Sequence, residues 1–177
     1  NKLINKPEIK KIFNKKTVLI TGGTGSFGST MLDKIQGFNC KIKIFSRDEL
    51  KQDLLRKKIK NDNVDFIIGD VRDTDSVDQA MKGVDIVFHA AALKQVPSCE
   101  FFPNQATATN VLGSQNVFNS AIRNNVSKLV ALSTDKAVMP INSMGMTKAL
   151  MEKILLSKAR NAKHNTIFSI VRYGNVI

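Results

Sequence analysis

Residues 21–28 read TGGTGSFG, directly after the apolar run TVLIT at residues 17–21 and at the start of an amphipathic stretch covering residues 26–37. Gly22, Gly25 and Gly28 keep the spacing G-x-x-G-x-x-G. A strand that turns into a helix through such a loop needs glycine where the backbone reverses and where it passes close to a neighbour, because a Cβ would collide there. The helix that follows offers unpaired N–H groups and a partial positive charge, which is a seat for a phosphate. Thr24, Ser26 and Phe27 fill the loop and belong to the same seat.

The rest of the chain repeats this strand–helix unit. Apolar runs at residues 41–46, 64–69, 84–90, 128–133 and 166–173 alternate with helical patterns at residues 48–60, 74–82, 105–124 and 143–162. The runs are apolar throughout rather than alternating, as parallel strands covered on both faces should be. Repeated βαβ units with helices of this length predict an α/β fold: a doubly wound parallel sheet of Rossmann type, order 3-2-1-4-5-6, with helices on both faces. Residues 1–16 read as a basic N-terminal extension, and residues 17–177 as one domain. A substrate pocket needs further walls beyond the sixth strand, so a C-terminal substrate domain is expected to be absent from this chain.

Composition narrows the partners. The net charge of +12 comes from scattered lysines, with clusters at Lys10, Lys11, Lys15 and Lys16 and at Lys57, Lys58 and Lys60. No aromatic residues are interleaved for base stacking, so nucleic acid is not expected as a partner. The charge reads as solvated helix faces that also favour anionic small ligands. No run reaches the 18 or more apolar residues of a membrane span, and no signal-type segment precedes the first strand. A cytoplasmic protein without a membrane partner is expected. Cys40 and Cys99 lack the spacing of a metal site or a disulfide framework, so buried thiols and no metal are expected.

The end of the second strand selects the nucleotide. An acidic residue there would hold the adenosine ribose hydroxyls of NAD. Here Ser46 and Arg47 stand in that place. Ser46 can donate a hydrogen bond and Arg47 can meet a 2′-phosphate with a charged fork, which favours NADP over NAD. After the third strand, Asp70 is positioned to accept from the adenine amine and Val71 to pack on the ring. After the fourth, the small residues Ala90, Ala91 and Ala92 let a ribose lie against the backbone.

These segments together resemble one family. TGGTGSFG, FSRDELKQ, GDVRD, HAAALKQVPSCEFFP, TNVLGSQNV, LSTDKAVMPINSMGMTK and RYGNV resemble the CapD/CapE-like polysaccharide-biosynthesis enzymes, soluble UDP-N-acetylglucosamine 4,6-dehydratases of the extended short-chain dehydrogenase kind. The resemblance runs from about Thr17 to the end. It implies NADP-dependent conversion of a UDP-amino sugar to a 4-keto-6-deoxy sugar in surface polysaccharide or glycan biosynthesis, in some members with inversion at C5. It also implies a C-terminal domain holding the uridine nucleotide and, for the whole protein, a homo-oligomer.

By that resemblance, Asp135 is the acid that protonates the leaving C6 hydroxyl and Lys136 the base at C5. Thr134, beside Ser133, bonds the O4 region. Lys148 holds the nicotinamide ribose and supplies the positive charge that lowers the pKa of Lys136. Short-chain dehydrogenases place Tyr-x-x-x-Lys on this helix, and the i, i+4 spacing puts both side chains on one face. Here Met144 takes the tyrosine's place and can transfer no proton. The base for the C4 hydroxyl is therefore open among Asp135, Lys136 and Lys148.

Lys94, Asn110, Tyr173 and Asn175 are expected on the substrate side, with Asn110 also ordering the catalytic loop. Glu100 either binds a sugar hydroxyl or caps a turn. His89 is read as structural, His164 as a surface residue at a helix end, and Met146 and Met151 as packing. A UDP-sugar 4-epimerase and a non-catalytic NADP-binding module are the alternatives.

Overall fold

The computed structural model describes residues 6–161 and 163–174. Its elements run in the order α1 (Lys6–Phe13), β1 (Lys16–Thr21), α2 (Ser26–Ile35), β2 (Cys40–Ser46), α3 (Glu49–Lys58), β3 (Val64–Ile68), α4 (Thr74–Met81), β4 (Ile86–His89), α5 (Val96–Phe101), α6 (Pro103–Ala106), a π-helical stretch (Thr107–Gly113), α7 (Ser114–Arg123), β5 (Lys128–Thr134), a 3₁₀ turn (Asp135–Ala137), α8 (Ser143–Ala159) and β6 (Ile167–Tyr173). Six parallel strands form one sheet in the order β3-β2-β1-β4-β5-β6, as the sequence pattern predicts.

Successive side chains of a strand point to opposite faces, and the core divides accordingly. Val18, Ile20, Ile42, Ile44 and Ile86 pack with Leu32 and Ile35 of α2 on one face. Leu19, Phe45, Val87 and Leu129 pack with α4, α7 and α8 through Met81, Val117, Phe118, Met151 and Leu155 on the other. The central strands are apolar on both faces because both are covered. The edge strands depart from this: Ile68 of β3, and Ile167, Val171 and Tyr173 of β6, have exposed side chains.

Three helices begin where the sequence supplies an acceptor. Asp48 accepts from Lys51 N at 2.9 Å, Asp73 from Asp75 N at 3.1 Å and Asn142 from Gly145 N at 2.8 Å. Each cap satisfies one of the orphan donors of a first turn.

Two readings change. The basic stretch expected as an extension is in part a docked helix. Phe13 of α1 is buried among Phe38 and Phe88, with ring centroids 5.8 and 6.4 Å away. Its apolar side is narrow and its lysines face water, so the charge run masked it. The helix expected at residues 105–124 is helical but widens to π geometry at Thr107–Gly113. Thr109, Asn110, Val111 and Gly113 are all buried there. The wider turn shifts the buried face of the helix at this point. α5 was not anticipated from the sequence.

Phe13→Ala should cost about 3 kcal/mol in urea unfolding, the usual penalty for truncating a buried aromatic ring. Unchanged stability would show that α1 does not belong to the core.

Candidate active site

The carboxyl ends of the strands open onto a crevice of about 1210 Å³. That exceeds the ~300–1,000 Å³ of pockets for one small ligand, so it can take a dinucleotide with a second molecule beside it. Its first wall is the glycine loop. Gly22 has φ +66°, and a Cβ there would lie 2.7 Å from Ala91 N. A Cβ on Gly28 would run into the Gly23 backbone. These two positions bring β1, α2 and the loop after β4 together closer than other residues allow. Gly25 stands at the N-cap of α2 with no side-chain cap, so the first N–H groups of that helix are left for a ligand.

At the end of β2, Ser46 lines the crevice. Buried Gln52 fixes it, donating to Ser46 O at 3.0 Å, to Ser46 Oγ at 3.1 Å and to Ile67 O at 2.7 Å. Thr24 Oγ1 also bonds Ser46 Oγ, at 3.2 Å. Arg47 is exposed, with Nη1 3.5 Å from Asp70 Oδ2, and Lys51 lines the same end. Asp70 is more engaged than expected. Arg72 donates to it from Nε at 2.9 Å, from Nη2 at 2.6 Å and from its backbone N at 2.9 Å. Burial would raise the Asp70 carboxyl, but the Arg72 bonds and the charges of Arg72 and Arg47 hold it below the usual range. Its acceptors therefore serve two guanidiniums. Val71 lines the crevice and touches the π segment, where a Cβ on Gly113 would lie 2.8 Å from Val71 Cγ2.

The floor is set by Asn110. It is fully buried, accepts from Leu93 N at 2.8 Å, and donates to Leu93 O at 2.9 Å and to Thr147 Oγ1 at 3.1 Å. Asn110 thus holds the loop after β4 against α8, and its side chain does not reach a substrate as expected. Its neighbour Thr109 was missed. Thr109 is 3% exposed, lines the crevice, and its hydroxyl has no partner. Adjacent residues share the inner face here as Thr147 and Lys148 do on α8, so Asn110 beside it was the available signal. His89 lies between Thr21 Oγ1 at 2.7 Å and Ser114 Oγ at 2.8 Å. Burial, helped by the charge of Lys148, lowers its pKa to about 3, so it is neutral and structural.

The far end carries the acid–base groups. Thr134 Oγ1 donates to Asp135 Oδ1 at 2.8 Å, and Lys136 Nζ lies 3.3 Å from the same oxygen. The Thr134 and Lys136 bonds hold the Asp135 carboxyl below its usual range, so it is ionised. Thr134 and Lys136 line the crevice, while exposed Asp135 sits at its lip, near Gly174. A Cβ on Gly145 would strike the Lys136 carbonyl, so α8 packs tightly under this turn.

Met144 is buried with Leu93, Val96, Cys99 and Ala106 and lines the crevice one helical turn from Lys148. Lys148 is 6% exposed, its Nζ 3.2 Å from Met151 Sδ. Burial lowers its pKa to about 8, against an upward pull from Glu152. Lys148 is thus a strongly perturbed lysine that faces this crevice.

Lys94 and Tyr173 also line the crevice, and Asn175 lies outside the described residues. Glu100 accepts from Ser143 N at 2.5 Å at the start of α8, the contact that the capping reading expects. His164 is half-buried rather than superficial, its ring 5.4 Å from Phe168 and its Nε2 2.9 Å from Lys158 O. Met151 is core, but Met146 is exposed. Both cysteines are free and buried. Among the described residues no group of three or more His, Cys, Asp or Glu could hold a metal, and no helix is long and apolar enough to cross a membrane.

One family model, described as "Polysaccharide biosynthesis protein", matches residues 18–177. The chain belongs to that family. Its curated relatives include proteins named UDP-glucose 4-epimerase from Rickettsia bellii (strain RML369-C) and Rickettsia prowazekii (strain Madrid E). Each is 55% identical over 94% of this chain and 50% of its own length. The chain therefore spans about half the length of these relatives. Among solved structures, Pen from Bacillus thuringiensis is 40% identical, with a TM-score of 0.91 over 93% of this chain and 52% of its own. The UDP-Glc/GlcNAc 4-epimerase of Campylobacter jejuni, at 21% identity and a TM-score of 0.80 over 89% of this chain and 53% of its own, shares the fold.

Lys148→Met tests whether the family site holds this lysine at a cost to stability. A lysine whose folded pKa lies below its unfolded value penalises the fold fully below pH 8, and the penalty is relieved as pH rises from about 8 toward 10.5. The variant should therefore gain roughly 1–3 kcal/mol in thermal or urea unfolding at pH 7. The gain should shrink by pH 10. Equal or lower stability at pH 7 would contradict a desolvated cation.

Proposed function

We propose that this chain is the dinucleotide-binding and catalytic part of an NADP-dependent UDP-N-acetylglucosamine 4,6-dehydratase. The observation that carries the reading is the Asp135–Lys136 pair, 3.3 Å apart, beside a crevice where buried Met144 stands in place of a proton-transferring tyrosine.

The residues present fit the nucleotide. The glycine loop leaves no room for a Cβ at Gly22 and Gly28, and the uncapped start of α2 takes the diphosphate with Thr24, Gly25, Ser26 and Phe27. Arg47 and Lys51 meet a 2′-phosphate, and Ser46 supports it. Val71, Ala90, Ala91 and Ala92 line the adenosine and ribose. The buried Thr109 hydroxyl gains its missing partner from the ligand, and Lys148 holds the nicotinamide ribose. When bound, the nicotinamide supplies hydride acceptance and return.

Proton handling falls to the chain. Lys148, with its pKa near 8, exists partly as the free amine at neutral pH and can take the C4 hydroxyl proton, which Met144 cannot. Elimination needs a proton removed at C5 and one delivered to the departing C6 hydroxyl. A hydrogen-bonded carboxylate–ammonium pair contains one acceptor and one proton, so Asp135 and Lys136 act as a unit. With the pair's proton passed from Lys136 to Asp135 on closure by substrate, Asp135 serves as acid and Lys136 as base. Lys94 and Tyr173 face the sugar or its diphosphate, with Asn175 expected to join them.

The names of the Rickettsia relatives favour a second reading, a UDP-sugar 4-epimerase. Product mass separates the two: loss of one water supports the dehydratase, and unchanged mass supports the epimerase. Cofactor reduction on adding UDP-N-acetylglucosamine argues against a non-catalytic NADP-binding module. Leu112, Met146 and Leu150 expose apolar side chains on the paired helical face of the π segment and α8, which suits a homodimer contact.

In the full-length protein, Asp135→Asn, Lys136→Met and Lys148→Met should each abolish turnover, and near-normal activity in all three would refute the assignment. Arg47→Ala should weaken NADP binding by about 10- to 100-fold, as loss of a charge-assisted contact implies, and leave NAD unaffected in calorimetry. Equal losses for both nucleotides would place the 2′-phosphate elsewhere.

A further inference from the structure

Glu152 and Arg172 lie outside every role assigned so far, yet they form a highly ordered charged contact. Glu152 is 4% exposed on α8, one helical turn beyond Lys148 and on the same face. Arg172 reaches it from β6, with Nε 2.9 Å from Oε1 and Nη2 2.5 Å from Oε2. The guanidinium is about half in water, whereas the carboxylate is almost wholly out of it. A buried carboxylate costs several kcal/mol unless it is paired, and a packed apolar residue would serve a purely structural role as well.

Lys148 gives this carboxylate a second cation. Its Nζ sits against Met151 Sδ, so the side chain runs along the turn that bears Glu152. Among the described residues, Glu152 is the acidic group whose charge favours the Lys148 ammonium. His89, from β4, is neutral, Arg172 reaches it through Glu152, and Lys136 lines the crevice from the 3₁₀ turn.

We infer that Glu152, clamped by Arg172, is a positioning residue that sets the charge and direction of the Lys148 ammonium. The inference rests on the role proposed above for Lys148 at the nucleotide. The order Arg172–Glu152–Lys148 places one negative charge between two positive ones. Arg172 keeps Glu152 ionised and fixed to β6, and Glu152 opposes the desolvation that would otherwise discharge Lys148. Burial raises the Glu152 carboxyl, but the bonds from Arg172 and Ser133 and then the charges of Arg172 and Lys148 hold it low. Glu152 touches no reacting atom and acts through the lysine.

The test follows the Lys148 side-chain CεH₂ resonance by NMR in the 177-residue chain labelled with ¹³C-lysine, assigned by its loss in Lys148→Arg. Wild type should titrate near 8. Glu152→Gln keeps the shape and should lower the midpoint by about one unit or more, the usual effect of losing an adjacent opposite charge. The double variant Glu152→Gln/Arg172→Gln should recover part of the drop, because the repelling guanidinium is then gone. Glu152→Asp should lie closest to wild type. A Glu152→Gln midpoint equal to wild type, or a double-variant midpoint below that of Glu152→Gln, overturns the inference. If Glu152→Gln does not fold, the double variant decides alone, and a midpoint at or above wild type overturns it. Dehydration by the full-length protein is measured separately. Shifted midpoints without dehydration would remove the proposed function and leave this coupling intact, and unshifted midpoints with normal dehydration would do the reverse.

Discussion

The site depends on backbone segments that meet where no side chain fits. Gly22 lies against the backbone of Ala90 and Ala91, and Gly28 against Gly23. Those two contacts join the first βα turn to the loop after β4 and so create the crevice at the carboxyl edge of the sheet. From the other side, Asn110 grips both backbone groups of Leu93 and reaches Thr147 on α8. The loop after β4 is therefore held at both ends by contacts within the chain. A rigid loop of small residues lets a ligand approach the backbone without first ordering it, which lowers the entropic cost of binding.

Electrostatics divides the crevice into two ends. Toward β2, Arg47 and Arg72 hold Asp70 while Lys51 pairs with Asp48, three cations against two carboxylates. Toward β5 the charges are paired: Asp135 with Lys136 at the lip, and Glu152 with Arg172 below. Lys148 lies between these pairs, buried and facing the crevice. Water screens the lip pair on both sides, whereas it reaches the second pair at Arg172 and leaves the Glu152 carboxylate buried. A dinucleotide laid across this field would meet fixed positive charge at its adenosine end and adjustable protons at the other.

Much of the fold was legible because it follows from short-range rules. Apolar strand runs, aspartate caps and the glycine spacing each have one physical meaning in an alternating β/α chain. The same holds for Gly22, Ser46, Arg47, Lys136 and Lys148, which face one crevice although 126 positions separate the first from the last. What was not legible depended on tertiary context. Thr109 turns inward within the π-helical stretch, and Phe13 is buried although lysines surround it in sequence. The Glu152–Arg172 pair joins a helix to an edge strand 20 residues away, and nothing in either segment announces the partner. Asn110 looked like a ligand contact because polar residues on a buried helix face usually serve something. Here it serves a backbone loop.

The central claim is that a dinucleotide spans the crevice with its nicotinamide at the Met144–Lys148 end. A crystal structure of the chain soaked with NADP tests this most directly. The account predicts the diphosphate over Gly25 at the start of α2, the 2′-phosphate between Arg47 and Lys51, and a ribose hydroxyl within hydrogen-bonding reach of Lys148 Nζ. Nucleotide bound with the opposite polarity, or bound away from Lys148, would contradict it.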